Sequence, residues 1–176
     1  MILFHYYDKD TGPFKNLSEL DDSLANQILL NIKKNKPDSF CAKRSDSYMK
    51  DRRYFEEILR NEFLKKGGKI ERLSPHYFTV GEVKWLESWY LNPEHIEIDV
   101  NTLNKEYISF TYGDSHPTFS SKVNDLKEYR KKLYTYDEII EIIKKYGYPQ
   151  DWNKDGEFGP ERYIEAHVWT DNGIKN

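Results

Sequence analysis

Residues 111–118 gather Thr111, Asp114, Ser115, His116 and Thr118 around Gly113 and Pro117. Hydroxyls, a carboxylate and an imidazole at the end of an extended segment can orient a bound molecule and exchange protons with it. Asp114, Ser115 and His116 are therefore candidate substrate-binding residues. The same residues equally describe a tight turn capped by Asp114 and stiffened by Pro117. A second loop, Asp151-Trp152-Asn153-Lys154-Asp155-Gly156, opens as a calcium loop does, and Phe158 sits where such a loop wants an apolar residue. Arg162 then stands where a bidentate glutamate is needed, and Pro160 interrupts the approach, so an Asx-type turn without metal is expected. Histidines 5, 76, 95, 116 and 167 have no zinc-ligand spacing. Phosphate-binding glycine loops and a GxSxG elbow are absent. Cys41 has no histidine near it in sequence to make it a nucleophile.

These groups need a scaffold, and hydrophobic periodicity supplies one. Residues 2–7 read as a first, aromatic strand, and a polar turn follows at 8–13. Leu24, Ala25, Ile28, Leu29 and Ile32 line one face of a helix that Pro37 stops. A longer helix carries Phe55, Ile58, Leu59 and Phe63 on its expected core face and ends at Gly67-Gly68. Extended segments are predicted at 69–73, 76–80, 95–100, 107–112 and 163–170, with a short aromatic helix at 83–90. Ile139, Ile142, Ile143 and Tyr146 mark a further amphipathic helix ended by Gly147. Residues 120–132 read as an exposed connection. The expectation is one α+β domain over residues 1–176. Its mixed or mainly antiparallel sheet would pack against two to three helices.

Three segments, read in order, suggest a chemistry. Leu3-Phe4-His5-Tyr6-Tyr7 presents a strand histidine. His76-Tyr77-Phe78-Thr79 precedes an aromatic helix. Arg162-Tyr163-Ile164-Glu165-Ala166-His167-Val168 presents a late strand glutamate. This order resembles the ADP-ribosyltransferase-like, NAD-binding folds. The resemblance implies NAD as a substrate, consumed by ADP-ribosyl transfer or glycohydrolysis. Glu165 would stabilise charge developing on the ribose, Tyr77 would stack on nicotinamide, and His5 would hold a ribose hydroxyl. His5, Tyr77 and Thr79 would line the NAD site. The Gln/Glu-x-Glu pattern of arginine-specific members is missing, since position 163 is Tyr. The whole chain also resembles an uncharacterised bacterial family through Phe4-His5-Tyr6-Tyr7, Pro75-His76-Tyr77, Ser88-Trp89-Tyr90, the run from Ser109 to Ser115, and the run from Gly159 to Ala166. That likeness implies a bacterial origin and no particular reaction.

Composition narrows the remaining classes. Aromatic residues make up 15% of 176, enough to fold without staples. Net charge is −3 and the single cysteine allows no internal disulfide, which suits a reducing, cytoplasmic setting. The start has no signal-peptide pattern, and no stretch is apolar enough to span a membrane. Between Lys43 and Arg72, ten basic residues interleave with six acids. That favours a solvated helix face with pairs such as Glu56–Arg60 and Glu62–Lys66 over a nucleic-acid surface. A small molecule or nucleotide is the expected partner. The alternative to an enzyme is a non-catalytic binding module with an aromatic-lined cleft. One test comes from the second loop: calorimetric titration with calcium should give no micromolar binding that Asp151→Ala removes, because the closing carboxylate is replaced by Arg162.

Overall fold

Five strands form one open sheet in the computed structural model, which describes residues 1–174. They are β1 (Ile2–Asp8), β2 (His76–Val80), β3 (Pro93–Asp99), β4 (Ile108–Thr111) and β5 (Glu165–Val168). Their order is β3-β1-β2-β5-β4, and every neighbouring pair is antiparallel. Three longer helices, α1 (Asp22–Asn35), α2 (Tyr48–Lys65) and α4 (Tyr136–Tyr146), accompany two short ones, α3 (Ser115–Phe119) and α5 (Pro149–Trp152). The α+β expectation thus holds. No described helix is long and apolar enough to cross a membrane.

Side-chain alternation gives the sheet two unlike faces. On one, Leu3, Phe78, Val80, Ile108, Phe110, Ala166 and Val168 form the main core, and Ile139, Ile142, Ile143 and Tyr146 of α4 pack on it. The apolar stripe predicted for α4 is therefore correct. A reciprocal capping box between Thr135 and Glu138 starts this helix, and Lys144 and Lys145 lie in its last turn. The opposite face carries Tyr77, Thr79, Ser109, Thr111, Glu165 and His167, and α2 and α3 lie on that side.

The core face of α2 differs from expectation. Its buried residues are Met49, Glu56, Leu59 and Phe63, while Phe55 and Ile58 are only half-buried. Leu59 and Phe63 pack with Leu133 and Trp169. The Phe55 ring instead reaches outward to His116 of α3, at a centroid distance of 4.6 Å. The expected pairs Glu56–Arg60 and Glu62–Lys66 are replaced by Arg52–Glu56, Lys65–Glu62 and Lys66–Glu138. Residues 69–73, predicted extended, join no strand.

Residues 120–132 are mostly exposed, as expected, but Tyr129 and Arg130 are buried around Glu161. Glu161 has no exposure. It accepts hydrogen bonds from Lys127, from the Tyr129 hydroxyl and from Arg130 Nη2, the last at 2.5 Å. Burial alone would raise its carboxyl; these three donors outweigh burial and hold it below the ordinary carboxylate range. The stability it contributes is therefore complete at neutral pH and lost as pH falls through its depressed value. Asn153, from the calcium-like loop, anchors the same region by donating to the Gly159 and Glu161 carbonyls. Arg162 donates to the Lys154 carbonyl within that loop.

Two substitutions check this packing. Leu59→Ala should cost about 2–5 kcal/mol by denaturant unfolding, whereas Phe55→Ala should cost about 1–2 kcal/mol, because its ring is only partly withdrawn from solvent. Glu161→Gln should cost about 3–5 kcal/mol at pH 7, since Lys127 and Arg130 lose the buried charge that balances them. That difference from wild type should shrink as pH is lowered.

Candidate functional site

Strand register decides which predicted residues can meet. Across β2, β5 and β4, Tyr77 lies opposite His167 and His167 opposite Ser109. One step along, Thr79, Glu165 and Thr111 align in the same way. These two rows share a face. On β1 the partner of Thr79 is Phe4, so the next residue, His5, points to the other face. There its ring packs on Phe14 and Phe78 at 4.6 and 5.4 Å. The transferase-like trio therefore does not converge on one cleft. Tyr77 and Glu165 share a surface, and His5 lies behind it.

Glu165 is held by a chain of buried polar groups. Trp169 Nε1 donates to Ser109 Oγ (2.9 Å), Ser109 Oγ meets His167 Nδ1 (3.2 Å), and His167 Nε2 meets Glu165 Oε1 (2.8 Å). The hydrogen positions that close this chain have Ser109 donating to Nδ1 and His167 Nε2–H donating to the carboxylate. Residue types here match a nucleophilic triad, but the geometry does not. Ser109 is wholly buried and its oxygen already accepts from Trp169, so it orients His167 and attacks nothing. Glu165 is the end of the chain that retains some solvent contact, with its side chain 10% exposed. The Ser115 backbone N–H adds a second donor to Oε1 at 3.3 Å.

Asp114 arrives beside Glu165 because the chain turns sharply after β4. Gly113 has φ +118°, and a Cβ there would stand 3.0 Å from Glu161 Cβ, so the turn tolerates no side chain. The buried Glu161 cluster thus sets the wall against which this loop bends. Asp114 Oδ1 caps α3 by accepting from the His116 N–H (2.7 Å), and Oδ2 accepts from the Tyr163 hydroxyl (3.0 Å). The capping reading of the 111–118 loop therefore holds for Asp114. Burial, and then the Glu165 charge, push its carboxyl up to about 7. Tyr163 is driven well above the ordinary phenol range by burial and by both carboxylates.

A second cluster faces this pair and was missed in the sequence. Arg52 donates through Nε to Ser18 Oγ (2.8 Å) and Glu56 Oε1 (3.0 Å), through Nη1 to the Tyr48 hydroxyl (2.7 Å), and through Nη2 to Asn16 Oδ1 (3.0 Å). The Tyr77 hydroxyl donates to the same Glu56 oxygen at 2.9 Å, and the guanidinium lies 4.9 Å from the Tyr77 ring centroid. Burial, then Glu56, raise the Tyr77 phenol far above its ordinary value, and the Glu165 charge adds to this. The Glu165 charge acts on Asp114, Tyr77 and Tyr163 alike, and Arg52 acts on Asp114, so the two clusters share one region. The missed signal was spacing. Met49, Arg52, Glu56, Leu59 and Phe63 follow a strict three-four rhythm, which places both charges on the buried stripe of α2.

The remaining candidates flank the site. Thr79 is buried and spends its hydroxyl on the Gly81 carbonyl (2.8 Å). His116 is exposed beyond Phe55. Next to Tyr163 lies an aromatic cluster: Tyr6, Val83 and Leu86 are buried, with Phe4, Trp85, Trp89 and Tyr90 half-buried around them. The Arg162 guanidinium stacks 3.9 Å over Trp85. Among the described residues, no group of three or more His, Cys, Asp or Glu is placed to hold a metal ion.

Comparison with known proteins identifies no relative: no family model, no curated protein and no solved structure matches this chain.

Proposed function

We propose that the chain is a small-molecule-binding module. Its site is the face bearing Tyr77, Asp114, Tyr163 and Glu165, and its ligand carries an ammonium or guanidinium group. The observation that carries this reading is the carboxylate pair. Asp114 and Glu165 lie within each other's field, and among the described residues neither forms an ion pair with a lysine or arginine; Glu165 instead accepts a hydrogen bond from His167. Burial first, and then repulsion from Glu165, keep Asp114 partly protonated near neutrality, and a cation brought between the two carboxylates would offset that repulsion. Tyrosine rings add favourable faces for the same charge.

The unequal pair also favours a second, catalytic reading. A carboxyl that titrates near 7 beside a carboxylate fixed by N–H donors is the arrangement of a general acid with a charge-stabilising partner. In that reading Asp114 protonates a leaving group while Glu165 faces the positive charge developing on a sugar. NAD or a nucleoside would be the substrate, and His5 would take no part in contacting it.

Thermal unfolding with a panel of amines, guanidinium compounds, nucleosides and NAD tests both readings. A cationic ligand at a hundred times its dissociation constant should stabilise the fold by about 2.7 kcal/mol. For a chain of this size that raises Tm by about 5 °C or more. Binding should tighten as pH rises through 7, because Asp114 must be ionised, and Asp114→Asn should abolish both the shift and its pH dependence. If instead NAD is consumed and Glu165→Gln slows this at least about tenfold with NAD affinity retained, the catalytic reading holds. No shift with any compound, in a well-folded protein, would overturn the site.

A further inference from the structure

His5 lies behind the site, yet its ring grips two pieces of the chain that build it. Nδ1 lies 2.9 Å from the Tyr77 carbonyl oxygen, and Nε2 lies 3.0 Å from the Phe14 backbone nitrogen. A carbonyl can only accept and a backbone N–H can only donate, so one arrangement satisfies both: hydrogen on Nδ1, lone pair on Nε2, ring neutral. An imidazolium would set N–H against N–H at Phe14. That residue is already in the left-handed region at φ +57°, a conformation a phenylalanine adopts only under restraint. Its ring stacks on His5 at 17° between planes.

Phe14 is joined by a short tether to the polar cluster. Two residues on, Asn16 Oδ1 receives Arg52 Nη2, and its Nδ2 donates to the Pro75 carbonyl just before β2. Ser18 Oγ accepts from Arg52 Nε and donates to Glu56 Oε1 at 2.8 Å. Glu56 in turn takes the Tyr77 hydroxyl. One ring therefore holds the backbone of Tyr77 from behind and, through residues 14–18, the groups that hold its hydroxyl in front.

We propose that neutral His5 is a positioning residue for the ligand face, a latch that sets Asn16, Ser18, Arg52, Glu56 and Tyr77 in register and lets them go when its ring is protonated. The proposal rests on the reading of that face as a ligand site. Few charges compete for the ring. Tyr7 faces it along β1 at 6.0 Å, Phe78 and the Tyr77 carbonyl come from β2, and Ile96 is its partner on β3. His76, bound to Asp171, lies beyond Phe14. Burial is the largest influence on His5 and lowers it below the ordinary imidazole range, against the hydrogen bond to Tyr77. The stabilisation from the latch is thus full above the ordinary histidine range. It is lost as pH falls from that range through the lowered value.

Nitrogen-15 NMR of the ligand-free protein, titrated from pH 7.5 to 5, tests this directly. At pH 7.5 the His5 ring should show the Nδ1–H tautomer. As it protonates, the Phe14 amide and Arg52 Nε–H signals should shift with the same midpoint. Their protection, relative to intrinsic exchange, should fall about tenfold or more. His5→Gln keeps one donor and one acceptor but does not titrate, so its Arg52 signal should lose the step at the His5 midpoint and follow only the titration of Asp114 at about 7. The latch is overturned by the other tautomer, by an Arg52 signal that stays put while His5 titrates, or by a His5 that never titrates before unfolding. A His5→Gln protein with the wild-type pH response would overturn it as well. If that variant does not fold, the wild-type titration still decides. No ligand is used, so a failed search for a cationic ligand would remove the binding reading without touching these outcomes.

Discussion

The pairing of β5 with β2 on one side and β4 on the other is the constraint on which the rest of the molecule depends. Along β5, Glu165 and His167 face one way while Ala166 and Val168 face the other, and the flanking strands obey the same alternation. A slip of one residue would drive a carboxylate and an imidazole into the core beneath α4 and turn Ala166 and Val168 toward α2. Both outcomes are costly, so the register is enforced from both faces at once. The apolar face supplies burial, and the polar face supplies specificity, because its groups can be satisfied in only one alignment.

That polar face explains why α2 is built as it is. A helix crossing a purely apolar sheet would need leucines at positions 52 and 56. Here it meets the Tyr77 hydroxyl, and Arg52 and Glu56 answer it with a closed network that includes Asn16, Ser18 and Tyr48. Such a network is worth little to stability when every member is satisfied and costs much when one is missing. Its value lies in fixing where Tyr77 and the neighbouring carboxylates stand.

Much of the scaffold was legible because strong local patterns announced it. The α4 stripe, the aromatic first strand and the alternation at 95–100 all agreed with the final fold. Glu165, Tyr77, Asp114 and Ser115 were picked from separate segments and do lie together. The misses share a physical cause. Glu56, Arg52 and Glu161 are charged, and charge in a sequence reads as exposure until a partner distant in the chain is known. Their partners are Tyr77, Ser18 and Tyr129, which come from other elements. His5 was misplaced for a simpler reason: the face a strand residue points to depends on register, and register is a property of the pair, not of either strand.

The sheet order has one more consequence, for how the molecule behaves in a crowd. Its two edges are β3 and β4, the places where a second chain could add a strand. On β4 that invitation is withdrawn, because Tyr134 forms two backbone hydrogen bonds with Phe110 and occupies part of the free edge. β3 is protected differently. It opens with Pro93, which offers no N–H, and Glu94, Glu97 and Asp99 set acidic side chains along it. A like strand approaching edge to edge would meet its own charges. Aggregation through the sheet is thus discouraged at one edge by a backbone plug and at the other by repulsion.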